Sequence, residues 1–348
     1  MQEYLKPIGY LLIATIILCS GCGSESNTTA IAPVAPTIEA DITRYEKRLI
    51  EVGTQTVAEH IAQLKEDYPA FSDIYFHQIL SIPDKDEILP GEVEHMITDT
   101  GYQKLLVDVA QEYYEFDTVA AEISQTLENY QEIFDVAETP NVYTFVSGFT
   151  YQCFLFDDLD REGIGLGLDM FLGADFPYEK INPSNPAFSA YLTRFYDREH
   201  IAKKVAEVLV EDKLPPPSRS DFLSLMIWGG KKLYIMDQLL DFKEDHVVIE
   251  YTPEQLRWCR ENEVQIWDFF FEKDLFYETD LRKFNKLVGP APTTPGMPPE
   301  SPGRTANYIG WQIIRAYVDR HPETTIADLI QLTDAQLILD ESRYKPSR

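Results

Sequence analysis

Apolar residues recur at helical spacing over residues 42–75, at Leu49, Ile50, Val57, Ile61 and Leu64, with a break at Pro69. A second helical pair is predicted over 102–136, carried by Leu105, Leu106 and Val109 and then by Val119, Ile123 and Leu127. The texture changes after that. Residues 141–149 (NVYTFVSGF), 151–156 (YQCFLF) and 164–171 (IGLGLDMF) are β-rich runs separated by glycine and acidic turn residues, which predicts a small antiparallel sheet. Helical period returns over 200–210, 219–240, 253–273, 307–320 and 325–332, with Pro215-Pro216-Pro217 and 289–303 as the two prominent loops. Thr252-Pro253-Glu254 and the stretch 323–326 have the composition of helix starts, with threonine at the cap. The expected class is α+β, predominantly helical, with a small antiparallel sheet packed on helices. One domain over 41–348 is expected, helical at 41–138, β-rich at 141–172 and helical again at 188–340.

The first residues follow a different logic. Residues 8–18 (IGYLLIATIIL) form an apolar run too short to span a bilayer as a helix but suited to the core of a signal peptide. Cys19-Ser20-Gly21-Cys22 follows, with small residues at the two positions before Cys22. Residues 1–21 therefore read as a lipoprotein signal peptide and Cys22 as the lipid attachment site. The small, polar, Pro-punctuated stretch that follows cannot bury a core, so 22–40 is expected to be a flexible tether, able to reach about 40 Å if extended. The expected location is the cell envelope, with the chain held to a membrane through its N-terminal lipid.

Composition narrows the choice of partner. A formal charge of −28 argues against nucleic acid and against polybasic attachment to anionic lipid, since both need lysine and arginine on the contact surface. With 44% hydrophobic and 12% aromatic residues, the chain has ample material for a large core. Cys153 and Cys259 each lie in an apolar stretch and are expected to be buried free thiols, a disulfide being the alternative.

Candidate chemistry is sparse. No two of the six histidines are spaced three to five apart, so no helix presents a paired imidazole zinc site. Arg198-Glu199-His200 is the nearest acidic–histidine cluster and reads as a solvated helix start. Gly163, Gly165 and Gly167 suggest close strand packing or a bulge rather than a phosphate cradle. Asp158, Asp160, Glu162 and Asp169 occupy positions resembling a calcium loop, although a solvated hairpin turn explains the same residues. The C-terminal aromatics, among them Trp228, Trp258, Trp267 and Trp311, are expected in the core, with a recognition groove as the alternative. Arg304 precedes a helix and either holds an anion near its first amides or pairs with one of the many carboxylates. No cofactor is expected.

Several stretches together resemble the gliding motility lipoprotein GldB family of the Bacteroidota. They are Val146-Ser147-Gly148-Phe149, residues 164–173 (IGLGLDMFLG), 226–234 (MIWGGKKLY), 251–267 (YTPEQLRWCRENEVQIW), Ser301-Pro302-Gly303-Arg304 with 309–317 (IGWQIIRAY), and 342–346 (SRYKP). That family is similar in turn to zincin-like metallopeptidases, in which a sheet edge lies over a helix bearing H-E-x-x-H. The resemblance thus implies a zincin-like scaffold, with residues 219–240 as the candidate for that helix. No histidine occurs between Ile201 and Asp245, which removes the two imidazole ligands.

The resemblance implies a non-catalytic accessory or scaffold protein of the gliding machinery and the associated type IX secretion apparatus, with envelope proteins as partners. The alternative is a peptide- or glycan-binding protein, or a hydrolase, using the pseudo-peptidase cleft through Arg304, Asp169, Glu261 or Glu263. A cleft open above residues 219–240 favours the second reading and a plugged one the first.

Overall fold

A computed structural model describes residues 36–85 and 87–347. The signal peptide, Cys22 and most of the expected tether lie outside the described residues. Helices make up 57% of the structure, around a four-stranded mixed sheet.

The strands are β1 (Ile42–Arg44), β2 (Asn141–Phe145), β3 (Cys153–Asp158) and β4 (Arg161–Gly167), in the order β1-β2-β4-β3. The expected antiparallel sheet needs correction: only β3 and β4 pair antiparallel, while β1–β2 and β2–β4 are parallel. The link over residues 146–152 reverses the chain and carries it across the width of one strand, and β4 fills the place between β2 and β3. Strand β1 is the other departure, since its three residues read as the start of a helix. Such a short strand has no usable period of its own and is fixed by its pairing with β2 across the whole N-terminal helical region.

Alternation along the strands divides the interior. Val142, Val146, Ile164 and Leu166 enter the main core, whereas Tyr143 and Phe145 join a smaller aromatic core with Tyr45, Phe71, Tyr75 and Phe76. Phe71 stacks on Tyr143 at 4.6 Å between ring centroids. The glycines of β4 make room for rings on β3. A Cβ at Gly163 would lie 2.3 Å from the Phe156 ring, and one at Gly165 the same distance from Phe154. Close strand packing thus accounts for this glycine alternation.

Helices of eight residues or more are numbered α1 (Val57–Asp67), α2 (Leu89–Thr98), α3 (Thr100–Glu112), α4 (Asp117–Phe134), α5 (Ile201–Lys213), α6 (Phe222–Leu239), α7 (Pro253–Glu261), α8 (Glu263–Glu272), α9 (Thr305–Arg320) and α10 (Ala335–Ser342). Helix α6 is apolar on almost every side and runs through the main core, with Asp221 capping its start through the Ser224 amide. It packs on α9 backbone to backbone at Gly230 and Gly310. The single helix expected over 253–273 is two helices. Thr252 and Gln255 form a reciprocal capping box at the start of α7, and Asn262 closes it by returning its amide and side chain to the Trp258 carbonyl. Among the described residues no helix is long and apolar enough to cross a membrane. Cys153 is half-buried and Cys259 buried, and the two are unpaired.

Candidate functional site

The helix lying against the antiparallel edge strand β3 is α5, not α6. Three charged residues on its inner side, Lys203, Lys204 and Glu207, are drawn into one ion-pair cluster. Lys203 is only 2% exposed; its Nζ contacts Glu207 at 2.8 Å and Glu250 at 3.0 Å. Lys204 reaches the same two carboxylates at 3.0 and 2.7 Å. From α6, Lys232 joins at 2.7 Å to Glu207 and 2.5 Å to Glu211. Arg304, at the start of α9, binds Glu250 at 2.8 Å and the Ile249 carbonyl at 3.2 Å through Nη1.

The electrostatics follow from burial and sharing. Burial alone would raise the carboxyl of Glu250, but Lys203, Lys204 and Arg304 outweigh it and hold the group well below its ordinary range. Glu207 is held low in the same way by Lys203, Lys204 and Lys232. Lys203 goes the other way: its own burial holds the ammonium below its usual value, only partly offset by Glu207 and Glu250. Two residues carry left-handed backbone for this arrangement, Glu250 with φ 55° and Arg304 with φ 60°. Strain of this kind at non-glycine residues is retained where the side chain is needed in place.

A cleft of about 240 Å³ opens beside the cluster, between α5, α6 and the segment leading into α9. Trp228, Leu233, Val288 and Pro290 supply apolar wall, and Lys232 and Arg304 supply charge. The cleft above α6 is therefore open, with its inner end occupied by paired charges. Arg304 is also shared with a crevice of about 20 Å³ that Arg194, Tyr191 and Tyr251 border.

The residues singled out from sequence have separate fates. Of the four proposed contacts, only Arg304 lies at this cleft. Glu261 is exposed on α7. Glu263 is buried and ties down the C-terminal tail, accepting bonds from Tyr344 and from the Ser347 amide and hydroxyl. Asp169 is fully buried behind the sheet, where it accepts the amides of Ser147 and Phe149 and shapes the Ser147-Gly148-Phe149 turn. The calcium-like set is not gathered. Asp158 accepts from Asn141 and Tyr143, Glu162 from Tyr130 and Lys213, and neither meets Asp169. Among the described residues they form no metal-ligand cluster. Asp160 lies in the β3–β4 hairpin turn.

Asp197, Glu199 and His200 do come close enough to share an ion. His200 is buried rather than solvated as its sequence context suggested, because Asp197 holds its Nδ1 at 2.7 Å and also caps the turn through the His200 amide. Glu199 is exposed.

Asp169 offers a pH test of this reading. Burial, the largest cause, pushes its carboxyl up to about 6 against the hydrogen bonds it accepts. A raised folded-state value contributes stability that is present below the unfolded value of about 3.9 and lost as pH rises through the folded one. The stability advantage of the natural chain over Asp169→Asn should grow, on the order of 2 kcal/mol, between neutral pH and about pH 4. Urea unfolding at stepped pH measures it; a difference independent of pH would show that Asp169 does not titrate there.

Fold and site together define a mainly helical α+β domain with an ion-paired cleft, and among the described residues the Asp197, Glu199 and His200 group stands as the candidate metal-ligand cluster. The model of the family described as gliding motility protein GldB matches residues 25–346, and the chain belongs to that family. Membership ties the protein to gliding motility, and the family's lipoprotein label points to the cell envelope. No curated protein and no solved structure matches the chain.

Proposed function

We propose that the chain is a lipid-anchored, non-catalytic accessory protein of the gliding machinery and of the type IX secretion apparatus associated with it, built on a peptidase-like scaffold. The observation that carries the non-catalytic part is the content of α5. Lys203-Lys204-x-x-Glu207 has the spacing of H-E-x-x-H on the helix that lies against the antiparallel sheet edge. A charged lysine has no lone pair for a metal, and here its ammonium lies between the carboxylates of Glu207 and Glu250. The cation of such a centre is built into the chain. Lys203 is 2% exposed at the inner end of the cleft and its ammonium is held by two carboxylates, which speaks against amine chemistry at this residue.

Function then rests on what the anchored domain holds. Crosslinking in intact cells followed by purification of the full-length protein from native membranes should recover envelope proteins of the motility or secretion apparatus. Recovery of no envelope partner, with normal secretion in cells lacking the gene, would refute the accessory role. The alternative use of the cleft, as a binding surface for an extended ligand, is favoured by its open apolar wall beside Arg304.

A further inference from the structure

We propose that the crevice between Arg194 and Arg304 is a carboxylate-binding site, with the adjoining cleft receiving the apolar part of the same ligand. Two guanidinium groups border this one small space, together with the Glu250 carboxylate, which is already neutralised by Arg304 and the two lysines. Arg304 spends Nη1 on Glu250 and Ile249, and its Nε and Nη2 have no protein acceptor among the described residues. Arg194 donates once, from Nη2 to Gln255 at 3.3 Å, while its Nε is buried without any partner. A buried donor left unpaired costs about 1–3 kcal/mol, and an oxyanion is the partner that a guanidinium fork fits best.

Charge balance points the same way. The cluster joins Lys203, Lys204, Lys232 and Arg304 to only three carboxylates, Glu207, Glu211 and Glu250. Arg194 adds a further cation beside them. This is a local positive excess in a chain whose formal charge is −28. An anion entering the crevice meets spare donors and unbalanced positive charge, whereas most of the remaining surface repels it. The crevice is small, about 20 Å³, and it shares Pro290 and Arg304 with the 240 Å³ cleft whose wall includes Trp228, Leu233 and Val288. A carboxylate carried on an apolar body, as at the end of a peptide, fits that pair of spaces.

The inference builds on the reading of the cleft as a recognition surface, and its failure is separable from that of the accessory role. Calorimetric titration of the full-length protein with N-acetyl-trileucine, its C-terminal amide, acetate and inorganic phosphate supplies the test. The free acid should bind, and the amide about tenfold or more weaker. Arg194→Gln should weaken the acid about tenfold or more while leaving the helical circular dichroism and the binding of the amide unchanged. This variant is decisive because Arg194 makes one side-chain bond, whereas Arg304→Gln also loosens Glu250. Acetate as tight as the peptide acid would keep the carboxylate site and identify a small organic acid as its source. Equal binding of acid and amide, tighter binding of phosphate than of either acid, or no heat from any carboxylate up to about 10 mM would overturn the proposal. If binding fails while crosslinked envelope partners are still recovered, the accessory role stands without this site.

Discussion

Glu250→Gln should destabilise the folded chain by about 3–5 kcal/mol, the cost of breaking a buried ion pair from one side. The carboxylate is 8% exposed and is shared by Lys203, Lys204 and Arg304. Its removal leaves four cations around Glu207 and Glu211, and glutamine restores neither the charge nor two acceptor oxygens. The backbone at φ 55° keeps its strain and loses its reason. The pH dependence has a definite sign. Glu250 is held well below the ordinary carboxylate value, so its contribution is present above that value and is lost only as pH falls through the lower folded one. The gap between natural chain and variant should be nearly constant from about pH 5 to neutrality and should close in stronger acid. Guanidinium unfolding followed by circular dichroism reads both effects, and a loss under about 1 kcal/mol would mean that the lysines are solvated instead.

Gly310→Val should cost about 3 kcal/mol or more, from overpacking with no flexible atom to yield. A Cβ at Gly310 would lie 2.0 Å from the Met226 carbonyl oxygen, and one at Gly230 would lie 2.2 Å from the Gly310 carbonyl carbon. Both obstacles are helix backbone, so α6 and α9 could accept the side chain only by separating along the contact that centres the main core. Gly91 is the control. It lies in the first turn of α2 with nothing within 4 Å of its would-be Cβ, and Gly91→Ala should be neutral or stabilising by up to about 1 kcal/mol. Thermal melts of the two variants should move in opposite directions or leave Gly91→Ala unmoved. Equal losses would place the tight contact elsewhere.

Periodicity made the long helices legible, because α3, α4 and α9 each bury a continuous apolar face that a window can register, while α6 stands out as a long apolar run. The caps at Thr252 and Thr325 were legible for a local reason, the reach of a threonine hydroxyl to an amide three residues on. Sheet direction was not legible. It depends on β1 pairing with a strand nearly a hundred residues away and on β4 separating β2 from β3, neither of which leaves a local mark. The division of one aromatic-rich segment into α7 and α8 turned on Asn262, whose side chain competes for a helix carbonyl.

The cleft was half legible. Arg304 stood out beside a helix start, but its partner Glu250 did not, since a glutamate before a tyrosine carries no signal. Lys203, Lys204 and Glu207 carry no signal in the sequence, because lysine and glutamate four apart usually mark a solvated helix face. Their one distinguishing feature was position, within a helix whose other inward residues are Ile201, Val205 and Leu209. Asp169 has the spacing to Asp158 of a calcium loop, whereas its role is set by the amides of the Ser147-Gly148-Phe149 turn.

The measurement closest to the central claim is colony spreading by cells that lack the natural gene and carry the Lys203→Met variant. Methionine removes the ammonium of the cluster whose burial is least compensated. Glu207 keeps Lys204 and Lys232, and Glu250 keeps Lys204 and Arg304, so the fold should survive with cations and carboxylates in balance. If the cluster serves as a scaffold, these cells spread like those carrying the natural chain, at equal protein abundance. A folded, abundant Lys203→Met protein that fails to restore spreading would contradict the non-catalytic account and make Lys203 a working residue.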